Sequence, residues 1–333
     1  MGLLTLLYAG KTSLFSFKYS LFIDIVTKLK RRSISASNRF ISNDSDSSRT
    51  SETLRNEIVD NSENTKLISI HIPKHLKPSN DSQFGHYLAG LIDGDGHFST
   101  KLQLVIVFNS LDASLAYYIK NRIGFGNVKK IKNKNAYLIV ISNKQGLERV
   151  INLINGKIRT INKFNQISNI LSHPRFIDFA KLIDFRLNSS IDLKNHWLAG
   201  FADADASFQI KIINREERKE VRLNFQVDQK KKDLLILIQK LFGGNIGYRS
   251  IQDTYYYGST SFGSAKKVIA YFDYFHLLST KHVNFLKWRK AYILIQNKGH
   301  LTNEGIDKIL KLKASMNRNL DFLSLSIEDY DLR

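Results

Sequence analysis

The sequence predicts an α+β fold made of two pseudo-symmetric αββαββα repeats arranged around a pair of central helices. Three observations predict it. The stretch Leu88-Ala89-Gly90-Leu91-Ile92-Asp93-Gly94-Asp95-Gly96 returns 110 residues later as Leu198-Ala199-Gly200-Phe201-Ala202-Asp203-Ala204-Asp205-Ala206. After each copy, period-two and helical patterns follow in the same order. Further matches recur at an offset of 118, pairing Asn127 with Asn245, Tyr137 with Tyr255, Val150 with Val268, Ile151 with Ile269 and Lys163 with Lys281. Self-similarity at this period marks a duplicated structural unit, and two copies suit a pseudo-dyad better than a solenoid.

Each nine-residue stretch is an apolar helical segment that ends in two acids spaced i, i+2. Small residues recur four apart, at Gly90 and Gly94 and at Gly200 and Ala204. That spacing puts them on one helical face, so two backbones can approach closely. Packing the copies together brings Asp95 and Asp205 to one place. Acids are disfavoured at helix C-termini, and two adjacent carboxylates repel unless a cation lies between them or one takes a proton. The expectation is a shared divalent-metal site.

The remaining elements follow in order. The alternating, β-branched stretch 97–108 reads as strand. Residues 112–123 place Leu115, Ile119 and Ile123 at helical spacing, and Gly124 and Gly126 end that helix. A hairpin runs from Val128 to Ile131 and from Tyr137 to Ile141, with helices expected at 144–155 and 157–171. Repeat two has strands near 206–213, 221–228, 246–251 and 254–262, and helices near 231–242, 264–275 and 280–298. The change of offset from 110 to 118 is an insertion of eight, placed at the charged tip 214–220. The predicted organisation is a leader over 1–70, a first repeat over 71–175, a linker over 176–192 and a second repeat over 193–333. A last helix near 302–318 opens on a capping-box sequence, Leu301-Thr302-Asn303-Glu304.

Composition narrows the partners. Formal net charge is +20, and residues 86–333 carry +16 of it. A body that basic points to a polyanion, with nucleic acid the usual one. With no cysteine, disulfides, Cys-ligated zinc and thiol catalysis are excluded. Residues 1–43 are apolar and basic, with Asp24 as their single acid. No apolar run there reaches the length of a membrane span. The stretch is compatible with a mitochondrial transit peptide and equally with a reading frame extended upstream of its functional core. Residues 44–64 are polar and acidic and read as a linker.

Both motifs, with the aromatic lead-ins His86-Tyr87 and His196-Trp197, resemble the signature of the LAGLIDADG homing endonucleases, over roughly residues 72–318. The first copy departs from the signature at Gly94, and the second ends on Ala206 where the signature has glycine. The resemblance implies two four-stranded antiparallel sheets forming a saddle over double-stranded DNA. Outward strand positions expected to meet DNA are Lys101, Gln103, Lys129, Lys132, Lys134, Lys211, Arg222, Asn224, Gln226, Arg249, Gln252, Tyr255 and Tyr257. Lys and Arg would contact phosphate or guanine, and Asn and Gln could read adenine.

The resemblance also implies the chemistry. Asp95 and Asp205 would ligate the metal, with the carbonyls of Gly94 and Ala204 assisting, and Mg2+ fits an all-oxygen donor set. Lys163, Lys281 and Gln229 would sit near the scissile phosphates. The repeat-one counterpart of Gln229 is either Phe108 or Leu111. Asp93 and Asp203 point elsewhere on their helices and read as structural. The implied function is a site-specific double-strand DNA endonuclease encoded by a mitochondrial group I intron, acting as a monomer with an internal pseudo-dimer. The alternative is an RNA maturase that binds its host intron RNA. A DNA-binding regulator on the same scaffold fits less well with both acids present.

Overall fold

The computed structural model describes residues 67–216 and 219–316. Most of the leader, part of the charged tip and the residues after Met316 lie outside that range. At the centre, α1 (Asp81–Asp95) packs along α6 (Trp197–Asp205). The glycines set how closely. A Cβ on Gly90 would stand 1.9 Å from the Trp197 carbonyl oxygen, and one on Gly200 would stand 1.9 Å from that of Tyr87. Each glycine therefore lies against the other helix's backbone.

Each helix is followed by its sheet. In repeat one, β1 (Gly96–Ser99), β2 (Gln103–Asn109), β3 (Asn127–Lys130) and β4 (Ala136–Ile141) pair in the order β1-β2-β4-β3. In repeat two, β5 (Ala206–Asn214), β6 (Lys219–Gln229), β7 (Asn245–Arg249) and β8 (Thr254–Ser259) pair as β5-β6-β8-β7. Both sheets are antiparallel throughout and together form the saddle. On one face of each sheet lie α2 (Ala113–Ile123), α3 (Lys144–Ile154) and α4 (Ile161–Leu171), and correspondingly α7 (Asp233–Phe242), α8 (Phe262–Tyr274) and α9 (Lys281–Gln296). Alternation puts Phe98, Leu104, Ile106 and Ile139, and Phe208, Leu223, Phe225 and Val227, on that covered face. The fold is the one expected, with two additions. A short α5 (Ile177–Leu182) lies inside the segment read as linker, and α10 (Asn303–Ser315) closes the described chain. Thr302 caps α10 by accepting from the Gly305 N–H, but Glu304 pairs with Lys308 and does not complete a capping box.

Strand register corrects the size of the insertion. Gly96 faces Ile106 across the first hairpin, and Ala206 faces Val227 across the second. The offset is thus 110 on the first strand of each hairpin and 121 on its second. The hairpin of repeat two is eleven residues longer, and three are lost again before Asn245. The sum of those two changes is the eight visible in the sequence. The same register makes Phe108 the counterpart of Gln229, since they face Tyr137 and Tyr255 at the same point of each sheet.

Residues 68–71 lie along α9. Ile68 exchanges two hydrogen bonds with the Gln296 side chain, at 2.9 and 3.0 Å. The buried Arg289 forks onto Asp273 and donates to the carbonyls of Ser69 and His71. A leader boundary at residue 70 would cut through these bonds.

Two histidines, His86 and His196, precede the helix centres at matching positions. Burial, reinforced for His86 by Lys157 and Arg159, pushes its pKa down to about 4. Burial, with a smaller push from His276, likewise holds His196 at about 4. As pH falls from about 6.5 towards 4, the unfolded chain takes up protons that the native state refuses, so stability is lost through that window. Burial raises the pKa values of Asp93 and Asp203, so the native state takes up those protons before the unfolded chain as pH falls, which partly offsets the loss. Thermal melts between pH 7 and pH 4.5 should show the loss, and a His86→Gln/His196→Gln variant should show a flatter profile. An unchanged profile in that variant would remove these histidines as the cause.

Candidate active site

The two acids of each motif do different work. Asp93 is buried and accepts from the Arg159 N–H (2.9 Å), the Thr160 N–H (3.1 Å) and hydroxyl (2.6 Å), and the Trp197 indole (2.8 Å). Asp203 is its mirror image. It accepts from the Leu278 N–H (2.7 Å), the Ser279 N–H (3.3 Å) and hydroxyl (2.5 Å), and the Tyr87 hydroxyl (2.7 Å). Each acid thus ties its own repeat's distal loop to the aromatic lead-in of the other repeat. Asp93 and Asp203 are structural, as expected, and their partners explain the lead-in aromatics.

Asp95 and Asp205 end the two helices, the first exposed and the second half-buried. A Cβ on Gly94 would meet the Ala204 Cβ at 2.3 Å and the Asp205 Oδ2 at 3.1 Å. The Asp205 carboxylate therefore lies against the residue that precedes Asp95. Gln229, at the end of β6, donates through Nε2 to Asp205 Oδ2 at 2.7 Å and fixes that carboxylate. Phe108 takes the equivalent place in repeat one.

Both lysines reach the site. Lys281 Nζ donates to the carbonyls of Ala204 (2.8 Å) and Ala202 (3.2 Å). Lys163 Nζ donates to the Gly96 carbonyl. Burial lowers the pKa of each, and the charges of Asp93 or Asp203, Asp95 and Asp205 oppose that shift. The lysines match at an offset of 118, whereas the loop donors Thr160 and Ser279 match at 119. Lys281 therefore stands one place nearer its aspartate clamp than Lys163, and the two contact non-equivalent carbonyls.

The face turned away from the helices differs between sheets. On sheet two, Asn224 donates to Gln209 Oε1 and Gln226 Oε1, both at 3.2 Å. Gln226 and Arg249 donate to Asp228. Lys211 and Arg222 face each other on the same side. Asn224 lies on the expected side but is only 3% exposed, closed in by its glutamine neighbours. On sheet one, Gln103 and Lys129 take outer positions, while Lys101, Lys132 and Lys134, like Gln252 of sheet two, lie in hairpin turns. Between Gln103 and Lys129 the outer face carries Val105, Val107, Leu138 and Val140, with Val107 37% exposed.

Two expected contacts are corrected. Tyr257 is 0% exposed, packs on Phe225 and donates its hydroxyl to the Gly243 carbonyl. Tyr255 is on the same, inner face and packs against the core. Three consecutive tyrosines carry no alternation signal, so pairing with Val227 and Gln229 sets their phase. Tyr256 takes the outer position, with the Arg249 guanidinium 4.6 Å from its ring centroid.

Among the described residues no helix is long and apolar enough to cross a membrane. Comparison with known proteins fits this geometry. The family model described as LAGLIDADG endonuclease matches residues 88–172 and again 198–292. The chain is 62% identical over 323 residues to an uncharacterized cox1 intron-2 37.2 kDa protein of Schizosaccharomyces pombe, covering 93% of this chain and 97% of that one. It is 29% identical to the intron-encoded DNA endonuclease aI3 of Saccharomyces cerevisiae, covering 72% of this chain and 71% of the relative. It is 28% identical to the intron-encoded RNA maturase bI4 of the same yeast, covering 64% of this chain and 33% of that protein. Its fold is similar to that of I-SmaMI bound to an uncleaved DNA target in the presence of calcium ions, with a TM-score of 0.54 at 24% identity, covering 70% of this chain and 98% of that one. Both copies of the motif, the paired helices they form and the family match over both repeats lead to one conclusion: the chain belongs to the LAGLIDADG endonuclease family.

Proposed function

We propose that this chain is a site-specific DNA endonuclease encoded by a mitochondrial intron, cutting both strands of its target with magnesium held at Asp95 and Asp205. The observation that carries the reading is the convergence of the two helix ends, which sets the Asp205 carboxylate against Gly94. The donor set fits magnesium: two carboxylates and the Gly94 carbonyl are hard oxygen ligands, whereas the Ala204 carbonyl, expected to assist, is taken by the Lys281 ammonium. When bound, divalent cations polarise the scissile phosphates and activate the attacking water. The residues do the rest. Gln229 holds one carboxylate in place. Lys281 and Lys163 supply positive charge where negative charge grows at phosphorus. Docking rests on the basic saddle, with target release slowed by many phosphate contacts.

The two half-sites are read by different chemistry under this proposal. Gln209, Gln226 and Arg249 on the outer face of sheet two, with the buried Asn224 holding the two glutamines, suit hydrogen bonding to base edges. The Val105, Val107, Leu138 and Val140 patch of sheet one suits the C5-methyl groups of thymine. Replacing thymine by uracil in the half-site under repeat one should therefore weaken binding several-fold, and the same change under repeat two should do less. Equal effects would reject the assignment.

Lys281→Ala tests the catalytic reading. The variant should accumulate nicked DNA before linear product, with one strand preferred, and Lys163→Ala should favour the opposite strand. Losing one such donor slows a step by roughly 10²–10³-fold, so the intermediate is visible on a gel with strand-specific end labels. Equal slowing of both strands, or none, would separate these lysines from the two cutting events. The RNA maturase reading is supported by the similarity to bI4 and is distinguished by splicing of host intron RNA without DNA cleavage.

A further inference from the structure

We propose that His75, His276 and His282 form a second metal site, for zinc, that fastens the N-terminal arm to the loop carrying Lys281. The three histidines come from separate parts of the chain. His75 lies before α1, His276 just after α8, and His282 in the first turn of α9. One ring nitrogen of each lies within 4.8 Å of one from each of the others. The rings of His75 and His282 have centroids 4.4 Å apart, and those of His75 and His276 are 5.1 Å apart.

The polar accounting around this cluster lacks a partner. His276 is 4% exposed. Its Nδ1 and that of His282 are buried without a hydrogen-bond partner among the described residues. Buried nitrogens of this kind are normally satisfied. His75 Nε2 lies 2.8 Å from the Leu277 carbonyl, to which it must donate. That leaves the lone pair on its Nδ1, and a backbone carbonyl holding the other ring nitrogen is the usual support of a metal-bound histidine. Burial lowers the pKa of His276 and His282, so both rings keep lone pairs at neutral pH. Three neutral imidazoles with a water in the fourth position would make a tetrahedral zinc site.

The site would matter because of what it spans. Between His276 and His282 lie Leu278 and Ser279, which hold Asp203, and Lys281, which contacts the Ala204 carbonyl. A metal there locks that loop and the arm together. It is separate from the carboxylate centre in position and in donor chemistry, nitrogen against oxygen.

The test uses the full chain, stripped of metal and held in excess magnesium so that the carboxylates are occupied. Zinc is titrated by calorimetry, and cobalt is titrated as a spectroscopic stand-in. One zinc per chain at micromolar concentration, a rise in Tm with zinc, and the intense visible absorption of four-coordinate cobalt are expected. His75 is exposed, so His75→Ala should fold as wild type while binding zinc at least roughly 100-fold more weakly. No zinc binding at micromolar concentration, or equal binding by wild type and His75→Ala, would overturn the site. Cleavage activity does not enter these readouts, so the outcome is independent of whether the chain cuts DNA.

Discussion

Asp95→Asn and Asp205→Asn are each expected to abolish double-strand cleavage and to leave DNA binding within a few-fold of wild type. Asparagine keeps the shape of the side chain and removes the charge that a hard cation requires. The loss in rate should be roughly 10³-fold or greater, because a metal ligand and a transition-state charge vanish together. Under the proposed function, binding persists because it would rest on the basic side chains of the sheets and their turns and not on the acids. The two variants need not behave alike. Gln229 donates to Asp205, whereas Phe108 stands at the equivalent place in the repeat of Asp95. Asp205→Asn leaves the glutamine amide facing a possible donor, so it should perturb the local structure more. Gel-shift and cleavage assays on one DNA duplex check both halves of the expectation. Wild-type cutting by either variant removes that residue from the centre.

The second large effect lies in the helix pair. Gly90 and Gly200 each press on the backbone of the opposite helix, and a single added methyl would sit 1.9 Å from a carbonyl oxygen. No side-chain rotation relieves a clash with backbone. Gly200→Ala should therefore cost about 3 kcal/mol, the upper part of the range for overpacking, and Gly200→Val more. Forcing the helices apart also separates Asp95 from Asp205, so activity should fall even in molecules that remain folded. Gly263→Ala supplies the control. Nothing lies within 4 Å of a Cβ there, and the residue is in the first turn of α8. Alanine is the better helix former, so that variant should melt at or slightly above the wild-type temperature. A Gly200→Ala protein as stable as wild type would show that the helices are not packed backbone to backbone.

The duplicated motif made the architecture legible because its features are local. The small residues, the terminal acids and the alternating strands need no knowledge of distant contacts, and helix α3 and strand β4 fall within a residue or two of their expected places. What escaped depends on pairing. The phase of Tyr255, Tyr256 and Tyr257 is fixed by Val227 and Gln229 across the sheet, and three identical residues give no hint of it. The eleven-residue lengthening of the second hairpin was masked by a later loss of three. The structural role of Asp93 and Asp203 was legible from helix geometry, but their Trp197 and Tyr87 partners were not, since each comes from the other repeat. The aliphatic outer face of sheet one reads in sequence as ordinary core, and only the register with β4 turns it outward. His75 stands 201 residues before His276, so nothing in the sequence hints that it joins the nearby pair His276 and His282.

The central claim is that Asp95 and Asp205 form one metal-dependent centre that cuts DNA. The most direct measurement incubates the purified chain with a DNA duplex spanning the host gene's exon junction without its intron, with magnesium or with chelator. The account predicts a single double-strand break at one position, present with magnesium and absent with chelator. An intact duplex in magnesium, under conditions where the same protein binds it, would contradict the account.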